Sequence, residues 1–207
     1  MSVACRICGA MDTRDVGSYA PYVDYSCMVY DCDACGSRFV EYDPSVYERL
    51  HSTPTSSYGM HEWLTTRCAK FFDRDDVAGL RTFLRDFRKF AFIIDVLDQS
   101  PKFHNLLEIG CSRGHLTSYF IKQGRDVLGV DISPHAVRVA AERFGDHFAT
   151  PDSPRVKQGA PYDAIYHVGT IGCVADPLGM TNDFLDMLAP GGLLVFNAPD
   201  AQSCRRL

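Results

Sequence analysis

The sequence lacks any long hydrophobic segment, since no apolar run approaches the roughly 18 residues needed to cross a bilayer. Its first residues, MSVACRICGAMDTRD, do not predict a signal peptide, because they carry Arg, Asp and Cys where such a peptide needs an apolar stretch. We therefore expect a cytoplasmic protein in a reducing compartment. There the nine cysteines are thiols or metal ligands rather than a disulfide framework.

An excess of basic residues is also absent: 26 acidic and 21 basic side chains give a net charge of −5. This balance argues against a nucleic-acid partner, which usually requires a basic face. Repeats and low-complexity tracts are absent too. The hydrophobic content of 46% and charged content of 23% are those of an ordinary globular protein. A chain of 207 residues can hold one α/β domain and a smaller module.

Three zones differ in composition. Residues 1–50 are rich in Cys, Asp and Tyr, and His51–Gly59 (HSTPTSSYG) is polar and predicts a linker or exposed loop. Residues 61–99 have helical periodicity, with one apolar stripe that we expect to pack against the core. Its members are Phe83, Phe87, Phe90, Ile94 and Leu97. We divide the chain into domain 1–50, a linker and helical segment 51–101, and domain 102–207.

From residue 103 onward, predicted strands and helices alternate. The strands are Asn105–Ile109, Val127–Asp131, a short one near Phe148, Asp163–Val168 and Leu193–Asn197. The helices pass through Leu116, Phe120 and Ile121, then from Ser133-Pro134 to Phe144, and then through Phe184, Leu185 and Leu188 to a turn at 189–192. This alternation predicts a parallel sheet with helices on both faces, and a ligand at the carboxyl ends of its strands.

A glycine-bearing turn follows the first of these strands in the segment LLEIGCSRGHL. Gly110 permits close backbone approach, and Gly114 opens a helix whose free N–H groups can bind a ligand. The dinucleotide fingerprint does not fit, because its later glycines would fall on Ser112 and His115. The pattern that fits is acid-x-Gly-x-x-x-Gly, and it begins at Glu108. The alternative interpretation of Glu108 is a buried acid satisfied by backbone N–H groups, which is compatible with its orienting the turn.

Asp131 ends the second strand, 21 residues after Gly110. An acid at this place can accept hydrogen bonds from both hydroxyls of a ribose. The alternative interpretation is an acid that caps the following helix. The turn and the acid together predict a nucleoside-containing cofactor.

Two C-x-x-C-G units occur in the first zone and predict a metal site. Cys5, Cys8, Cys32 and Cys35 would supply four thiolates in a closed tetrahedral arrangement, which favours a structural Zn²⁺. The spacing between the pairs leaves room for a hairpin. Unliganded thiols or a redox-active pair are the alternatives. We expect residues 1–50 to form a zinc ribbon, and a domain this small would depend on its metal to fold.

Residues 103–200 resemble the class I S-adenosylmethionine-dependent methyltransferase domain. The motifs that carry the resemblance stand in the family's order: Glu108-Ile-Gly110-Cys-Ser-Arg-Gly114, Gly129-Val-Asp131-Ile-Ser133, Tyr162-Asp163-Ala-Ile and Leu188-Ala-Pro190-Gly191-Gly192-Leu-Leu-Val-Phe. Ser112 departs from the family by replacing its middle glycine. With the ribbon and helical linker, the order resembles bacterial methyltransferases that act on nucleotide-linked sugars and natural-product intermediates.

The resemblance implies a Rossmann-like fold with S-adenosylmethionine as cofactor. The residues that it places at the cofactor are Glu108, Gly110, Cys111, Ser112, Gly114, Asp131, Ile132, Asp152 and His167. After the third strand the family contacts adenine, and Ser153 is an alternative to Asp152 there. The family's domain continues past its fifth strand with a helix and two more strands. We expect a naturally minimal domain, a truncated chain or a partner that completes it.

The family's sugar methyltransferases often carry a Glu-His pair in the loop after the fourth strand, where this chain has Gly172-Cys173. His167 is the best substitute as a catalytic base, since a neutral imidazole accepts a proton. It could also be a structural histidine. Tyr166 is weaker, because strand alternation places it on the opposite face. An acceptor that needs no strong base, such as an amine or a thiol, would also explain this loop.

The leading hypothesis is a methyltransferase that acts on a small-molecule acceptor and carries a structural zinc. A second is an RNA methyltransferase whose ribbon binds the substrate, although the ribbon is rich in aspartate. A third is a cofactor-binding subunit without catalytic activity, suggested by the missing Glu-His pair and by where the sequence ends.

Overall fold

The computed structural model describes residues 3–22, 25–43 and 59–198, which form two β-sheets and a set of helices. The predicted loop at 51–59 lies outside the described residues except for its last position, as does the chain after residue 198. Within the described ranges, no helix is long and apolar enough to cross a membrane.

The N-terminal sheet is antiparallel, with the strand order β1-β2-β3. Its strands are β1 (Thr13–Tyr22), β2 (Tyr25–Cys32) and β3 (Arg38–Val40). The β1-β2 hairpin pairs Thr13 with Cys32. It thereby supplies the connection that the cysteine spacing predicts, and it brings the second cysteine pair back beside the first.

Three helices follow: α1 (Gly59–Phe72), α2 (Val77–Arg85) and α3 (Arg88–Asp98). The apolar stripe predicted over this region packs into the core as expected, but it does not lie on one helix. The helix breaks at Asp86 and Phe87, where Phe87 is extended with φ −98° and ψ 106°. The break still leaves the Phe87 ring 5.8 Å from that of Phe83 and 5.7 Å from that of Phe90, so aromatic packing continues across two helices.

The second sheet is parallel and five-stranded, with the order β6-β5-β4-β7-β8. Its strands are β4 (Asn105–Ile109), β5 (Asp126–Val130), β6 (Phe148–Ala149), β7 (Tyr162–Val168) and β8 (Leu188–Asn197). Its helices are α4 (His115–Lys122), α5 (Pro134–Phe144), α6 (Pro154–Gln158) and α7 (Pro177–Met187). The predicted parallel Rossmann-like sheet is confirmed, and its switch point lies between β4 and β7, beside the glycine turn.

The start of α5 agrees with its sequence signal, because the Ser133 hydroxyl accepts a hydrogen bond from the Ala136 N–H at 3.2 Å and Pro134 is the first helical residue. Several boundaries differ from prediction by one residue or more, and two of them change how a motif residue is placed. Asp131 follows β5 rather than ending it. Leu188 was wrongly placed in a helix: its ψ of 144° is extended, and it pairs with Tyr162 in β8.

The predicted turn at 189–192 is instead an irregularity inside β8. The register jumps from Tyr162–Leu188 to Ala164–Leu193, so β8 carries extra residues opposite β7. Gly191, with φ +76°, supplies the backbone conformation that such an insertion needs. A break in regular structure does occur at Gly191 and Gly192, but it lies within β8 rather than between a helix and a strand.

Among the described residues, the parallel sheet has a core cluster on each of its faces. The larger cluster joins residues of α1, α2 and α3 to the sheet, so the helical segment and the sheet share one core. Its most buried members include Leu80, Leu84, Ile93, Ile94, Leu97, Leu106, Phe120 and Tyr166. The smaller cluster lies on the other face, beneath α6 and α7, and contains Leu107, Ile165 and Phe184.

Gly114→Ala should destabilise the fold more than Gly124→Ala, its matched control. Both glycines have positive φ, +75° and +76°, so both alanines incur the same backbone cost. A Cβ at Gly114 would lie 2.5 Å from Phe148 Cζ, whereas nothing lies within 4 Å of one at Gly124. We expect an additional loss of about 1–3 kcal/mol at Gly114 from overpacking, measured by urea unfolding. Equal losses would show that Phe148 does not restrict this turn.

Candidate functional site

The glycine turn is tied to the neighbouring strand by its backbone. The N–H groups of Gly110 and Cys111 both donate to the Val130 carbonyl, at 2.7 and 3.0 Å. Gly110 and Gly114 have φ of +73° and +75°, and Ser112 between them has φ of +52°. A side chain at Gly110 would place Cβ 2.2 Å from Thr170 Oγ1, so only glycine fits there. The turn is thus compact and closely approached from the β7 side.

Asp131 lies directly beneath this turn and is buried. One carboxylate oxygen accepts from the Ser112 N–H at 2.8 Å, and the other accepts from the Ser133 N–H at 2.9 Å. The acid therefore links the turn after β4 to the start of α5, although Ser133 itself caps that helix. Each carboxylate oxygen has a further lone pair, so the two bonds leave Asp131 able to accept from a ligand.

Glu108, on β4 just before the turn, is also buried. It accepts hydrogen bonds from the hydroxyls of Thr117, on α4, and Tyr166, on β7, the latter at 3.2 Å. Burial raises the pKa of Glu108 to about 7, against the opposing effect of the Thr117 hydrogen bond. The acid of the motif therefore joins three elements under the turn. The placement of Tyr166 opposite His167 agrees with the predicted strand alternation.

Helix α1 contacts the turn through polar groups. Thr65 Oγ1 lies 2.8 Å from His115 Nε2, in the first turn of α4, and the rings of His61 and His115 stack at 5.8 Å. Arg113 Nη1 lies 2.5 Å from Glu62 Oε2. Burial is the main cause that lowers the pKa of His115 to about 3, so the ring is neutral at physiological pH. These contacts hold the helical segment against the end of the turn.

His167 pairs in register with Ile109 of β4 and Phe196 of β8. Its ring stacks on that of Phe196, with centroids 4.9 Å apart, and is 1% exposed. Nδ1 has no hydrogen-bond partner among the described residues. Burial lowers the pKa of His167 to about 4, so the imidazole is neutral near pH 7.

The loop after β7 is fixed at its start. The Gly169 N–H donates to Asn197 Oδ1 at 2.7 Å, and Thr170 Oγ1 donates to the Ile109 carbonyl at 3.0 Å. Thr170 thus joins this loop to the glycine turn. Sequence reasoning missed it, and also missed Thr65 and Glu62, because no motif indicates contacts between residues so far apart in the chain.

The other predicted cofactor residues differ in exposure. Ile132, beside Asp131, is 60% exposed, whereas Cys111 is buried. Asp152 is exposed, and the Thr150 hydroxyl donates to it at 2.5 Å and lowers its pKa. The hydroxyl of Ser153, the alternative to Asp152, already caps α6 by accepting from the Arg155 N–H. Of the two side chains, Asp152 therefore has more capacity to accept a hydrogen bond from a ligand.

The four predicted metal ligands come together in the ribbon. All four sulfurs of Cys5, Cys8, Cys32 and Cys35 lie within 4.8 Å of one another. Two distances that cross between the pairs, Cys5–Cys35 and Cys8–Cys32, are both 3.7 Å. A tetrahedral zinc with Zn–S bonds of about 2.3 Å requires S–S distances of about 3.8 Å. The sulfurs therefore fit a zinc ion.

The two cysteine loops have the same backbone conformation. In each, the glycine N–H donates to the carbonyl of the first cysteine at 2.8 Å, Gly9 to Cys5 and Gly36 to Cys32. The two glycines have φ of +73° and +72°. This repeated geometry explains why a glycine follows each pair.

Comparison with known proteins identifies the family. The profile of the methyltransferase domain family matches residues 77–207, well over half of the chain. The chain belongs to this methyltransferase domain family, as the motifs indicated. The match begins within the helical segment, at the first residue of α2.

Individual relatives match only part of the chain. A ubiquinone biosynthesis O-methyltransferase of Cereibacter sphaeroides is 34% identical over 96 residues, which are 44% of this chain and 39% of that protein. The chain spans less than half the length of the curated relatives that it matches.

Two solved structures are similar to parts of the chain. DesVI of Streptomyces venezuelae is 24% identical with a TM-score of 0.45, and 58% of this chain and 55% of that one are covered. The N-methyltransferase NodS of Bradyrhizobium japonicum, in complex with S-adenosyl-L-homocysteine, is 26% identical with a TM-score of 0.42, and the covered shares are 50% and 57%.

His115→Gln should make the fold less sensitive to acid, while Gln can keep a hydrogen bond to Thr65. Between an unfolded pKa of about 6.5 and the folded value of about 3, the unfolded chain binds more protons at this ring. Stability from His115 therefore falls as pH falls. Below pH 6, we expect the free energy of unfolding to fall more slowly in the variant than in the wild type, by up to about 1.4 kcal/mol per pH unit.

The measurement is urea unfolding at pH 7, 6 and 5. The control is His104→Gln, which changes an exposed histidine and should leave the pH dependence as in the wild type. Parallel stability curves for His115→Gln and wild type would contradict the burial of a neutral ring at this position.

Proposed function

We propose that the protein is an S-adenosylmethionine-dependent methyltransferase that acts on a small-molecule acceptor and carries a structural zinc site. The acceptor class is a nucleotide-linked sugar or a natural-product intermediate. The observation that carries this proposal is the compact Gly110–Gly114 turn with Asp131 beneath it, at the switch point of a parallel sheet. The relative named for ubiquinone biosynthesis also favours a small acceptor.

The residues around the turn fit the cofactor. S-adenosylmethionine, when bound, supplies the reactive methyl group. Asp131 would hold the ribose hydroxyls, Ile132 and Asp152 would lie at the adenine, and the backbone of Gly110, Cys111, Ser112 and Gly114 would allow close approach. Glu108 would support the turn from below, since its described partners are Thr117 and Tyr166.

His167 is proposed as the residue that receives a proton from the acceptor. A base works best when its pKa is near the working pH, and burial sets the pKa of His167 at about 4. No carboxylate hydrogen-bonds to this ring in the part of the chain that the structure describes. The environment therefore favours an acceptor with an easily lost proton, such as an amine or a thiol, over a sugar hydroxyl.

The division 1–50, 51–101 and 102–207 is proposed as two folded units joined by a linker and helical segment. The first would depend on zinc, because its core among the described residues is small and centres on Cys5, Cys32 and Phe39. The helical segment shares its core with the parallel sheet, so we infer that it folds with the second unit.

An RNA acceptor is the second candidate, and the charges of the ribbon disfavour it. Asp31 pairs with Arg38 at 2.6 Å and with Arg14 at 2.9 Å, and Arg14 also contacts Asp33. Two of the ribbon's arginines are thus neutralised by its own acids rather than presented to phosphates. The third candidate, a non-catalytic subunit, would bind the cofactor but methylate nothing in a panel of acceptors.

Asp131→Ala should weaken cofactor binding by about 1–3 kcal/mol through lost charge-assisted hydrogen bonds. Because Asp131 also holds the turn, the ribose contact needs a separate readout. Calorimetry with adenosine and 2′,3′-dideoxyadenosine supplies it: the wild type should prefer adenosine, and the variant should not. Asp146→Ala, at an exposed acid paired with Arg155, is the control and should bind like wild type. Equal preference for adenosine in wild type and Asp131→Ala would refute the ribose assignment.

Protein purified without chelators should contain one zinc ion per chain, as measured by metal analysis. Cys35→Ser removes one ligand and should reduce zinc retention and destabilise the ribbon, since metal binding supplies its folding free energy. Cys173→Ser, outside the cluster, should retain zinc as the wild type does. A metal-free wild type with an intact ribbon would exclude the structural zinc.

A further inference from the structure

A cavity of about 520 Å³ lies beside the ribbon, within the size range of small-molecule sites. Met28, Phe39 and Tyr42 give it apolar and aromatic walls, and Ala175 borders it from the loop that follows β7. That loop lies next to His167 in the chain. The cavity therefore joins the ribbon to the segment where methyl transfer is proposed.

Arg6 lies in this cavity, inside the first cysteine loop. Its Nη1 donates to the Val40 carbonyl at 3.1 Å, and its guanidinium carbon lies 5.5 Å from the centre of the Tyr42 ring. These two contacts hold the guanidinium in one orientation. Its Nε and Nη2 are buried and have no hydrogen-bond partner among the described residues.

The unpartnered atoms form one edge of the guanidinium. Nε–H and Nη2–H point in parallel and can bind both oxygens of a carboxylate or phosphate. Burial of such donors without an acceptor costs free energy. No ion pair to Arg6 occurs within the described ranges to offset that cost. The arrangement is that of an anion-binding edge.

Two acids limit the charge of the ligand. Glu41 and Asp43 line the same cavity as Arg6, and Glu41 is exposed. A ligand with many negative charges, such as a nucleic-acid backbone, would be repelled by them. A molecule with one carboxylate or phosphate at the arginine and an apolar body along Met28 and Phe39 fits the cavity.

We propose that the Arg6 cavity is the binding site for an anionic group of the methyl acceptor, which is a small molecule with a carboxylate or phosphate. This inference rests on the proposed methyltransferase function and names its substrate class. The ribbon then serves substrate recognition as well as structure, and Arg6 determines specificity without taking part in the chemistry.

The test uses the full chain and three probes of similar shape: benzoate, phenyl phosphate and the neutral benzamide. Binding is measured by saturation-transfer difference NMR titration. The wild type should bind at least one anionic probe at least 10-fold more tightly than benzamide. Preference for benzoate or for phenyl phosphate identifies the anionic group.

Arg6→Gln should abolish this preference, and Arg6→Lys should restore part of it. Arg14→Gln, at a ribbon arginine that does not line the cavity, is the matched control and should bind like wild type. Zinc content is measured in each variant. Because Arg6→Gln could disturb the cysteine loop, Ala175→Trp is a second variant that fills the cavity from outside the ribbon and should also abolish binding.

The proposal is overturned if Arg6→Gln with normal zinc content keeps the anion preference, or if wild type shows none. Affinity for S-adenosylmethionine, measured in parallel, should differ less than twofold between wild type and Arg6→Gln. Loss of cofactor binding in the wild type would instead refute the proposed function, so the two failures are distinguishable.

Discussion

The two oxygens of the Asp131 carboxylate accept one hydrogen bond each from the amides of Ser112 and Ser133. Those amides belong to two different strand-to-helix connections, β4 to α4 and β5 to α5. One side chain therefore fixes the relative position of the two connections. Ser112 can keep its positive φ because this bond and the flanking glycines define the turn around it. The geometry of the proposed cofactor site therefore depends on this acid whether or not it also contacts a ribose.

Much of this arrangement follows from local sequence. The acid-x-Gly-x-x-x-Gly pattern, the acid after the next strand and the Ser133-Pro134 helix start depend on backbone rules that act within a few residues, and the structure contains all three. The two cysteine loops also follow from local sequence, because in each Cys-x-x-Cys-Gly segment the glycine N–H donates to the carbonyl of the first cysteine. In such segments the residue types alone determine the conformation.

The features that sequence reasoning missed depend on contacts between distant segments. Apolar residues recur every three or four positions through Phe87, although the helix is interrupted there. The pattern continues because two helices share one aromatic cluster. Leu188 carries the same ambiguity, since its hydrophobic side chain suits a helix end or a strand. Its pairing with Tyr162 decides between them. The contacts of Thr65 with His115, and of Thr170 with the glycine turn, likewise cannot be predicted from the sequence around either partner.

The spacing of the four ribbon sulfurs has a practical consequence for handling the protein. Sulfurs held 3.7 Å apart across the two loops need to move by less than 2 Å to reach the bond length of a disulfide, about 2.05 Å. Loss of the metal in air, while the loops keep this geometry, therefore leaves them prone to link covalently to one another through a disulfide. The oxidised ribbon would then be unable to take up zinc until a reductant was added, so the order in which reductant and metal are supplied determines whether the native ribbon is recovered.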